Sequence, residues 1–259
     1  MFLKILVSND DGISSQGIFQ LVKELKQIGD VIVVAPQTEQ SAAGHSITMK
    51  VPLRVEEYYI NGALFGYAVN GTPADCIKMG IKNILKEKPD IVISGINNGS
   101  NAAINVIYSG TVSAAREAAI MDVPAIAISV TDHNPKHFEY AAKLSARLAK
   151  LVCANKLKTG TLLNVNVPDL AENEIAGVKL TMQGRSKWDD YYEERVDPYG
   201  NKYYWLTGKL LIQDENIEKD QIALKNNYAS ITPIHFDLTD YEMFEKMKDW
   251  DITSLKFND

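Results

Sequence analysis

Short apolar segments alternate with helical stretches along the first two thirds of the chain. Three of these segments, Phe2 to Ser8, Val31 to Ala35 and Ile91 to Ser94, are rich in β-branched residues and are largely apolar on both faces. Helices are predicted from Ile18 to Ile28, where apolar residues recur at helical spacing, and from about Pro73 to Leu85. The alternation predicts an α/β fold, with a mostly parallel sheet covered by helices on both faces.

Two local features add detail to this pattern. Gly29 stands where a C-terminal cap of the first helix is expected. Between Ser46 and Val69, short alternating runs surround Asn61-Gly62, a dipeptide suited to a tight turn, so a β-hairpin is predicted there. Further strands are predicted at Ala125 to Val130 and Leu162 to Val167, and further helices after Thr111 and at about Phe138 to Ala154.

Beyond Gly184 the chain becomes aromatic and polar, and its pattern predicts a projecting β-hairpin. Asp197-Pro198-Tyr199-Gly200-Asn201 forms a turn signal between two long candidate strands. Tyr203-Tyr204-Trp205-Leu206 would be poorly buried on an isolated arm, so we expect the arm to pack against another subunit. The alternative is that the arm folds back on its own core. We expect one domain over residues 1–259, with the arm at about 185–225 and a C-terminal helix at about 240–250.

Composition narrows the class of protein. A content of 46% hydrophobic and 23% charged residues indicates a globular chain, and the net charge of -6 argues against binding of nucleic acid duplexes. The first apolar run meets Asn9-Asp10-Asp11 too early for a signal peptide or a membrane span. Cys76 and Cys153 lie far apart and outside any Cys-x-x-Cys pattern, which indicates neither disulfides nor a zinc site. These features favour a cytoplasmic protein without membrane contact.

Two adjacent carboxylates follow the first predicted strand, in the loop Ser8-Asn9-Asp10-Asp11-Gly12. In open α/β sheets, ligands bind beyond the carboxyl ends of the strands, which makes this loop a candidate site. Adjacent carboxylates repel each other, and a hard divalent cation such as Mg²⁺ or Mn²⁺ would compensate the repulsion. The alternative is an ordinary, solvated Asp-Gly turn.

Three more polar loops follow predicted strands or precede a helix. The loop from Gly95 to Asn101 is rich in amides, which can offer oxygen to a metal and N–H groups to phosphate. Tyr108 to Ser113 leads into an alanine-rich helix, whose free N–H groups and hydroxyls could hold an anion. The alternatives are an ordinary Asn/Gly turn and ordinary helix capping. In the loop from Ala35 to Ser46, His45 is either an acid-base group or structural.

In this order and wording, these loops resemble the survival protein E (SurE) family of nucleotide phosphatases over nearly the whole chain. The matching motifs are Ser8-Asn9-Asp10-Asp11-Gly12 with Gly17-Ile18, Ala35-Pro36 with Ser41, Gly71-Thr72-Pro73-Ala74-Asp75-Cys76, Ser94-Gly95-Ile96-Asn97, Tyr108-Ser109-Gly110-Thr111-Val112, and Ser230-Ile231-Thr232-Pro233 with Asp237-Leu238-Thr239. Ala42 and Asn227 stand where many members have glycine, but neither change removes a ligand.

The resemblance implies a Rossmann-like three-layer core whose C-terminal extension builds a homodimer or homotetramer. It also implies one divalent metal ion per subunit, Mg²⁺ or Mn²⁺, and hydrolysis of nucleoside 5'-monophosphates, with 3'-monophosphates and short polyphosphate as further candidate substrates. The implied metal ligands are Asp10, Asp11, Ser41 and Asn97. The implied phosphate and substrate contacts are Asn9, Asn97, Asn101, Ser109, Gly110 and Thr111.

Asp10 and Asp11 are the expected catalytic residues, and Asp11 is the preferred acceptor of the proton from water. A covalent aspartyl-phosphate is disfavoured, because enzymes that form one commonly carry Asp-x-Asp rather than an adjacent pair. One rival is a receiver-like module, but Ser94-Gly95 occupies the end of the central strand where its acceptor aspartate would lie. A second rival is a non-catalytic protein that binds phosphate or nucleotide.

Overall fold

The computed structural model describes residues 2–254. Its strands are β1 Leu3–Ser8, β2 Gly29–Pro36, β3 Val55–Ile60, β4 Ala63–Val69, β5 Ile91–Asn98, β6 Ala125–Val130, β7 Thr161–Val167, β8 Gly177–Leu180, β9 Ser186–Val196, β10 Lys202–Ile212 and β11 Tyr228–His235. Its α-helices are α1 Gln16–Leu25, α2 Pro73–Met79, α3 Asn105–Tyr108, α4 Gly110–Ile120, α5 Glu139–Asn155, α6 Asp220–Lys225 and α7 Tyr241–Met247. A π-helical turn spans Gly80–Ile84, and 3₁₀ turns span Glu172–Glu174 and Asp251–Ser254.

Nine of the strands form one sheet, in the order β3-β4-β2-β1-β5-β6-β7-β11-β8. The six strands from β4 to β7 run parallel to their neighbours. Two antiparallel pairings, β3 with β4 and β11 with β7, flank this block. The predicted α/β fold with a mostly parallel sheet is therefore confirmed.

The sheet separates two hydrophobic clusters because successive side chains of a strand point to opposite faces. On one face, Ile5 and Ile93 pack with Leu21 of α1 and with α5. On the other face, Leu6 and Val92 pack with the alanines of α4 and with α2. The strands contribute side chains to both clusters, which explains why their sequences are continuously apolar rather than alternating.

β9 and β10 pair only with each other and form a long arm. They are in register from Ser186 opposite Ile212 to Val196 opposite Lys202, and the turn predicted at residues 197–201 joins them. Most of the aromatic side chains of the arm are exposed. The exposed aromatic residues include Trp188, Tyr191, Tyr192, Tyr199, Tyr203, Tyr204 and Trp205. Packing of this arm against a second copy of the chain stays a prediction.

Gly29 is not a helix cap, as the sequence suggested, but the first residue of β2. Helix α1 already ends at Leu25. A Cβ atom at position 29 would lie 2.2 Å from the carbonyl oxygen of Leu3, so the close pairing of β2 with β1 requires glycine there. The tight spacing of the two strands, which periodicity does not encode, explains this residue.

Three predicted boundaries also change. Strand β5 runs four residues farther than predicted, to Asn98, and takes in Gly95 to Asn97, which the sequence placed in a loop. The predicted hairpin forms around Asn61 and Gly62, both with positive φ, but residues 46–54 before it contain no strand. The helix predicted to Leu85 is α-helical only to Met79 and ends in the π-helical turn.

Within residues 2–254, no helix has the length and hydrophobicity needed to cross a membrane.

Candidate active site

The carboxyl ends of β1 and β5 bring two of the predicted loops together. These strands are direct neighbours, with Ser8 opposite Ser94. Asp10 and Asp11 follow β1, and Asn97 lies near the end of β5. Because parallel strands end at the same edge of the sheet, the carboxylates and amides converge at one point on the molecule.

Asp10 points into the protein and joins the first loop to helix α4. Its side chain is only 5% exposed, and its Oδ1 accepts a hydrogen bond from the hydroxyl of Thr111. Gly110 lies against the same side chain, and a Cβ atom there would lie 2.9 Å from Oδ2 of Asp10. The glycine is thus needed for the carboxylate to reach the first turn of α4.

Asp11 is half-buried and accepts a hydrogen bond of 3.2 Å from the backbone N–H of Asn98. Burial, followed by the neighbouring charge of Asp10, raises the pKa of Asp11 to about 7. Burial also raises the pKa of Asp10, although the hydrogen bonds from Thr111 oppose this shift. Two adjacent carboxylates with raised pKa values form a site where a cation would stabilise the ionised forms.

Asn9 shapes the turn that carries this pair. Its Nδ2 donates to the carbonyl oxygen of Gly12 at 2.8 Å and to Oγ of Ser15 at 2.7 Å. Both of its amide hydrogens are therefore used, which leaves the oxygen as the atom available for a ligand. The predicted contact from Asn9 to phosphate would need these bonds to rearrange.

The available atoms at this edge suit a hard divalent cation. Within residues 2–254, the buried Oδ1 atoms of Asn9 and Asn98 have no hydrogen-bond partner. The same residues contain no cluster of three or more His, Cys, Asp or Glu, so a cation here would take amide and hydroxyl oxygens beside the two carboxylates. Mg²⁺ and Mn²⁺ prefer such oxygen ligands. The residues present therefore fit the predicted metal.

The two other predicted metal ligands differ in their surroundings. Asn97 is 9% exposed, and its Nδ2 donates to the carbonyl oxygen of Gly99 at 2.7 Å, which holds the side chain in place. Ser41 is exposed, and its hydroxyl donates to Glu39 at 2.5 Å. The loop itself is bonded to the backbone of the carboxylate pair, since the N–H of Gln40 donates to the main-chain carbonyl oxygen of Asp10 at 2.7 Å.

The first turn of α4 carries the predicted phosphate contacts Ser109, Gly110 and Thr111. Ser109 is the N-cap, and its Oγ accepts from the N–H of Val112 at 3.0 Å. The capping alternative raised from sequence is therefore correct for this residue, but accepting that bond leaves the hydroxyl hydrogen unused. The helix N-terminus and the two hydroxyls still lie beside Asp10, so a phosphoryl group could contact both.

Asn101 is held by a hydrogen-bond network that the sequence pattern did not predict. Its Nδ2 donates to Oγ of Ser129 at 2.8 Å, and its backbone N–H donates to Oδ1 of Asn166, also at 2.8 Å. Its carbonyl oxygen accepts from Nδ2 of Asn164 at 2.8 Å. The sequence signal was present, because Asn164 and Asn166 alternate with apolar residues, and the strand is buried from Leu162 to Val167.

His45 lies outside this centre and contacts a buried carboxylate on α4. Its Nε2 is 2.8 Å from Oε2 of Glu117, and Nζ of Lys78 is 2.5 Å from Oε1 of the same residue. Burial opposes ionisation of Glu117, but the contacts with His45 and Lys78 overcome it and lower the pKa of Glu117. His45 therefore has a structural role in this arrangement, tying the loop that carries Ser41 to helix α4.

Comparison with known proteins agrees with the resemblance seen in the sequence. A family model described as survival protein SurE matches residues 5–190. The 5'-nucleotidase SurE of Syntrophobacter fumaroxidans is 47% identical over 250 residues, which cover 96% of this chain and 100% of that protein. The 5'-nucleotidase SurE of Alkaliphilus metalliredigens is 48% identical over 248 residues, which cover 95% of this chain and 98% of that protein.

A solved structure shows the same architecture. The crystal structure of the SurE protein from Aquifex aeolicus matches with a TM-score of 0.82 and 39% identity, and covers 94% of this chain and 98% of that chain. The relatives and the solved structure match over nearly the full length, and the family model matches residues 5–190. The chain belongs to the survival protein SurE family.

Proposed function

We propose that this chain is a 5'-nucleotidase, a divalent-metal-dependent phosphatase that hydrolyses nucleoside 5'-monophosphates to nucleoside and phosphate. The observation that carries the proposal is the contact of Asp10 with Thr111, which joins a carboxylate pair to the N-terminus of a helix. A cation site and an anion site thus share one edge of the sheet. Relatives named 5'-nucleotidase match this chain over nearly its full length.

One divalent ion, Mg²⁺ or Mn²⁺, would be held by Asp10, Asp11, Ser41 and Asn97. When bound, it would neutralise charge on the phosphoryl group and lower the pKa of a water molecule. The Ser41 hydroxyl would have to exchange its bond to Glu39 for this role. The backbone bond from Gln40 to Asp10 holds the neighbouring residue of the loop beside the first strand's end, which supports this role.

The phosphoryl oxygens would be bound by Asn97, Asn101 and the turn from Ser109 to Thr111. The start of α4 lies against Asp10, and the dipole of the helix would favour the negative charge of such a ligand. Phosphate monoesters need little covalent help from an enzyme, so positioning and charge stabilisation supply most of the catalysis. Asn9 would act through the shape of the turn that it holds, because its amide hydrogens are bonded to Gly12 and Ser15.

Asp11 is the better placed of the two carboxylates to accept a proton from water. Asp10 is almost fully buried and is bonded to Thr111, whereas Asp11 is partly exposed at the same edge. A group that receives a proton in the reaction must reach the water that it activates. Its partial exposure supports Asp11 in this role, and Asp10 would orient the metal and helix α4.

We further propose one domain for residues 1–259 and a cytoplasmic homodimer or homotetramer. The exposed aromatic side chains of the β9–β10 arm support assembly, because large apolar patches usually mark contact surfaces. Nucleoside 3'-monophosphates and short polyphosphate are further candidate substrates. They would present the same terminal phosphoryl group to the turn at Ser109.

The test follows phosphate release from a panel of nucleoside 5'- and 3'-monophosphates and short polyphosphate, with Mg²⁺ or Mn²⁺ and then with chelator. Asp10→Asn should lower the rate by about a thousandfold, since it removes one ligand charge from the site. Asp30→Asn is the matched control, because Asp30 is exposed at the opposite end of β2. A rate that survives both chelation and Asp10→Asn would contradict the proposal.

Phosphate binding without turnover would instead favour the non-catalytic nucleotide-binding alternative. A receiver-like role finds no support in the fold. Strand β5 ends in asparagines, and Ser94 is the residue opposite Ser8. The acceptor aspartate of such a module has no counterpart at that place.

A further inference from the structure

The loop of residues 99–104, which carries Asn101, has no helix or strand, and side chains from distant parts of the chain satisfy its backbone. Asn164 and Asn166 bind the carbonyl oxygen and N–H of Asn101. Two residues farther on, Ala103 has a φ of 50°, in the left-handed region that is unfavourable for a residue with a Cβ. A conformation of this kind persists only where the surrounding contacts enforce it.

Ala103 is fixed at both of its backbone polar groups. Its N–H donates to Oδ2 of Asp220 at 2.8 Å, and its carbonyl oxygen accepts from Nε2 of Gln183 at 2.9 Å. Gln183 precedes the arm, and Asp220 follows it in the chain. The segments that flank the arm, residues 183–185 and 213–220, are called the arm root below. They hold Ala103, which lies two positions from Asn101.

Asp220 is the centre of this clamp. It is fully buried, and its Oδ1 accepts from the N–H of Gly184 at 2.9 Å and of Gln221 at 2.7 Å. A Cβ atom at position 184 would lie 2.8 Å from Oδ1 of Asp220 and 3.5 Å from the Cβ of Ala103. The carboxylate, the arm root and Ala103 are packed so closely that none of them can shift independently.

A second contact links the arm to the same loop. Nε1 of Trp188 in β9 donates to Oδ1 of Asn105 at 2.9 Å, and Nδ2 of Asn105 donates to the carbonyl oxygen of Ser100 at 3.2 Å. Ala103, two residues after Asn101, is thus bonded to the arm root, and Ser100, the residue before Asn101, is linked to the arm through Asn105. Loss of one contact would leave the other in place.

We propose that Asp220 is a positioning residue, which holds Asn101 in the phosphate pocket through Ala103 and so makes the arm root part of the substrate site. The inference rests on the proposed phosphatase function and deepens it. Asp220 does not touch the substrate in this proposal. Its role is to bind the N–H of Ala103 and thereby keep a strained loop in one conformation.

The test compares Asp220→Asn with Asp214→Asn in the full-length chain. Asparagine at 220 keeps one acceptor but turns an NH₂ group towards a backbone N–H, so either Ala103 or Gly184 loses its partner. Asp214 is the matched control, because it accepts from the N–H of Arg185 at the same root. Among the described residues, no hydrogen bond joins Asp214 to residues 100–105.

Calorimetric titration with inorganic phosphate, in the presence of Mn²⁺, should give a Kd about tenfold higher for Asp220→Asn and within twofold of wild type for Asp214→Asn. Titration with Mn²⁺ alone should be unchanged in both variants. Hydrogen exchange of the peptide covering residues 100–106 should accelerate in Asp220→Asn only. In hydrolysis, KM should rise by more than kcat falls, since the residue orders the loop before the substrate binds.

Equal phosphate affinity in the two variants, despite faster exchange in Asp220→Asn, would overturn the positioning role. If Asp220→Asn does not fold, Gln183→Met removes the bond to the carbonyl oxygen of Ala103 alone and should raise the phosphate Kd about threefold; an unchanged Kd would count against the proposal. A wild-type chain that binds neither Mn²⁺ nor phosphate would refute the proposed function instead. The exchange experiment separates these results because it does not need activity.

Discussion

The candidate site has two halves, and they are built in different ways. Asp10 and Asp11 follow directly from β1, so the central strand of a rigid sheet sets their position. Asn101 lies in a loop between β5 and α3, where side chains of β6 and β7 bind Asn101 itself and the arm root binds Ala103. Backbone pairing places the first half, whereas long-range hydrogen bonds between side chains and backbone place the second.

Because of this difference, the two halves should respond differently to substitutions. A residue that directly follows a parallel strand keeps its position as long as the sheet folds, because many backbone hydrogen bonds fix the strand. A loop held by single buried hydrogen bonds loses its geometry when one partner is removed, because each unmet group costs about 1–3 kcal/mol. We therefore expect substitutions far from the substrate to alter phosphate binding more readily than metal binding.

The largest effect is expected in the carboxylate half, at Gly110, which lies against Asp10. Gly110→Ala would place a Cβ 2.8 Å from the Cβ of Asp10, so the carboxylate or helix α4 must move. A displacement of about 1 Å in a catalytic group lowers activity roughly a hundredfold. The rate of phosphate release and the affinity for Mn²⁺ should both fall, while a thermal melt should still show a folded protein. Activity within threefold of wild type would show that the contact is dispensable.

Thr111→Val should have the next largest effect. It removes the hydroxyl that donates to Asp10 and replaces it with a methyl group of similar size. A hydrogen bond to a charged group contributes about 1.5–3 kcal/mol, so we expect kcat/KM to fall by about ten- to a hundredfold. Phosphate affinity should fall more than Mn²⁺ affinity.

Thr111→Ser is the matched control for that substitution, because it restores the hydroxyl without the methyl group. Recovery to within about threefold of wild type would assign the loss to the hydrogen bond. If Val and Ser at position 111 behave alike, the hydroxyl has no part in binding, and the turn acts through its backbone alone.

The carboxylate half could be predicted from sequence because it is contiguous. Asp10 and Asp11 stand immediately after an apolar run, which predicts a strand. Residues that follow a parallel strand lie at the edge of the sheet where the carboxyl ends of the strands meet. The same argument located Ser109 to Thr111 ahead of an alanine-rich helix. It failed where the geometry of two strands mattered, as at Gly29, whose role depends on the distance to Leu3 rather than on its neighbours in the chain.

The second half could be predicted only in part. Asn101 belongs to a motif, but nothing near it in the chain points to Asp220, which lies more than a hundred residues later. An acidic residue in the first turn of a short helix is common, so the position of Asp220 in the sequence does not predict its bond to Ala103.

The strand predicted within residues 46–54 is absent for a related reason. The backbone there is bonded to side chains of other elements instead of to a neighbouring strand. For example, the N–H of Thr48 donates to Oδ1 of Asp75 at 3.0 Å.

A smaller effect on the metal half is expected from His45→Ala. This change removes the side-chain tie between the Ser41 loop and Glu117, while the backbone bond from Gly44 to Tyr108 remains. Loss of one partly buried bond of about 1 kcal/mol should weaken Mn²⁺ binding roughly fivefold, as measured by titration.

Lys78→Met is the matched control for His45→Ala. Lys78 binds the other oxygen of Glu117 but belongs to α2, not to the loop. It should lower thermal stability without changing Mn²⁺ affinity. Similar affinities in the two variants would mean that the loop does not depend on His45.

The smallest effect on phosphate binding is expected from shortening the arm. Replacing residues 189–209 with Asn-Gly keeps the pairs from Ser186 opposite Ile212 to Trp188 opposite Leu210, together with the arm root at Asp220. The molar mass by light scattering should fall, because the exposed aromatic side chains of the arm are removed. The phosphate Kd should stay within twofold of wild type, since the clamp on Ala103 is intact. An unchanged mass would favour an arm that does not mediate assembly, and a weakened phosphate affinity would place the control of Asn101 in the arm itself rather than in its root.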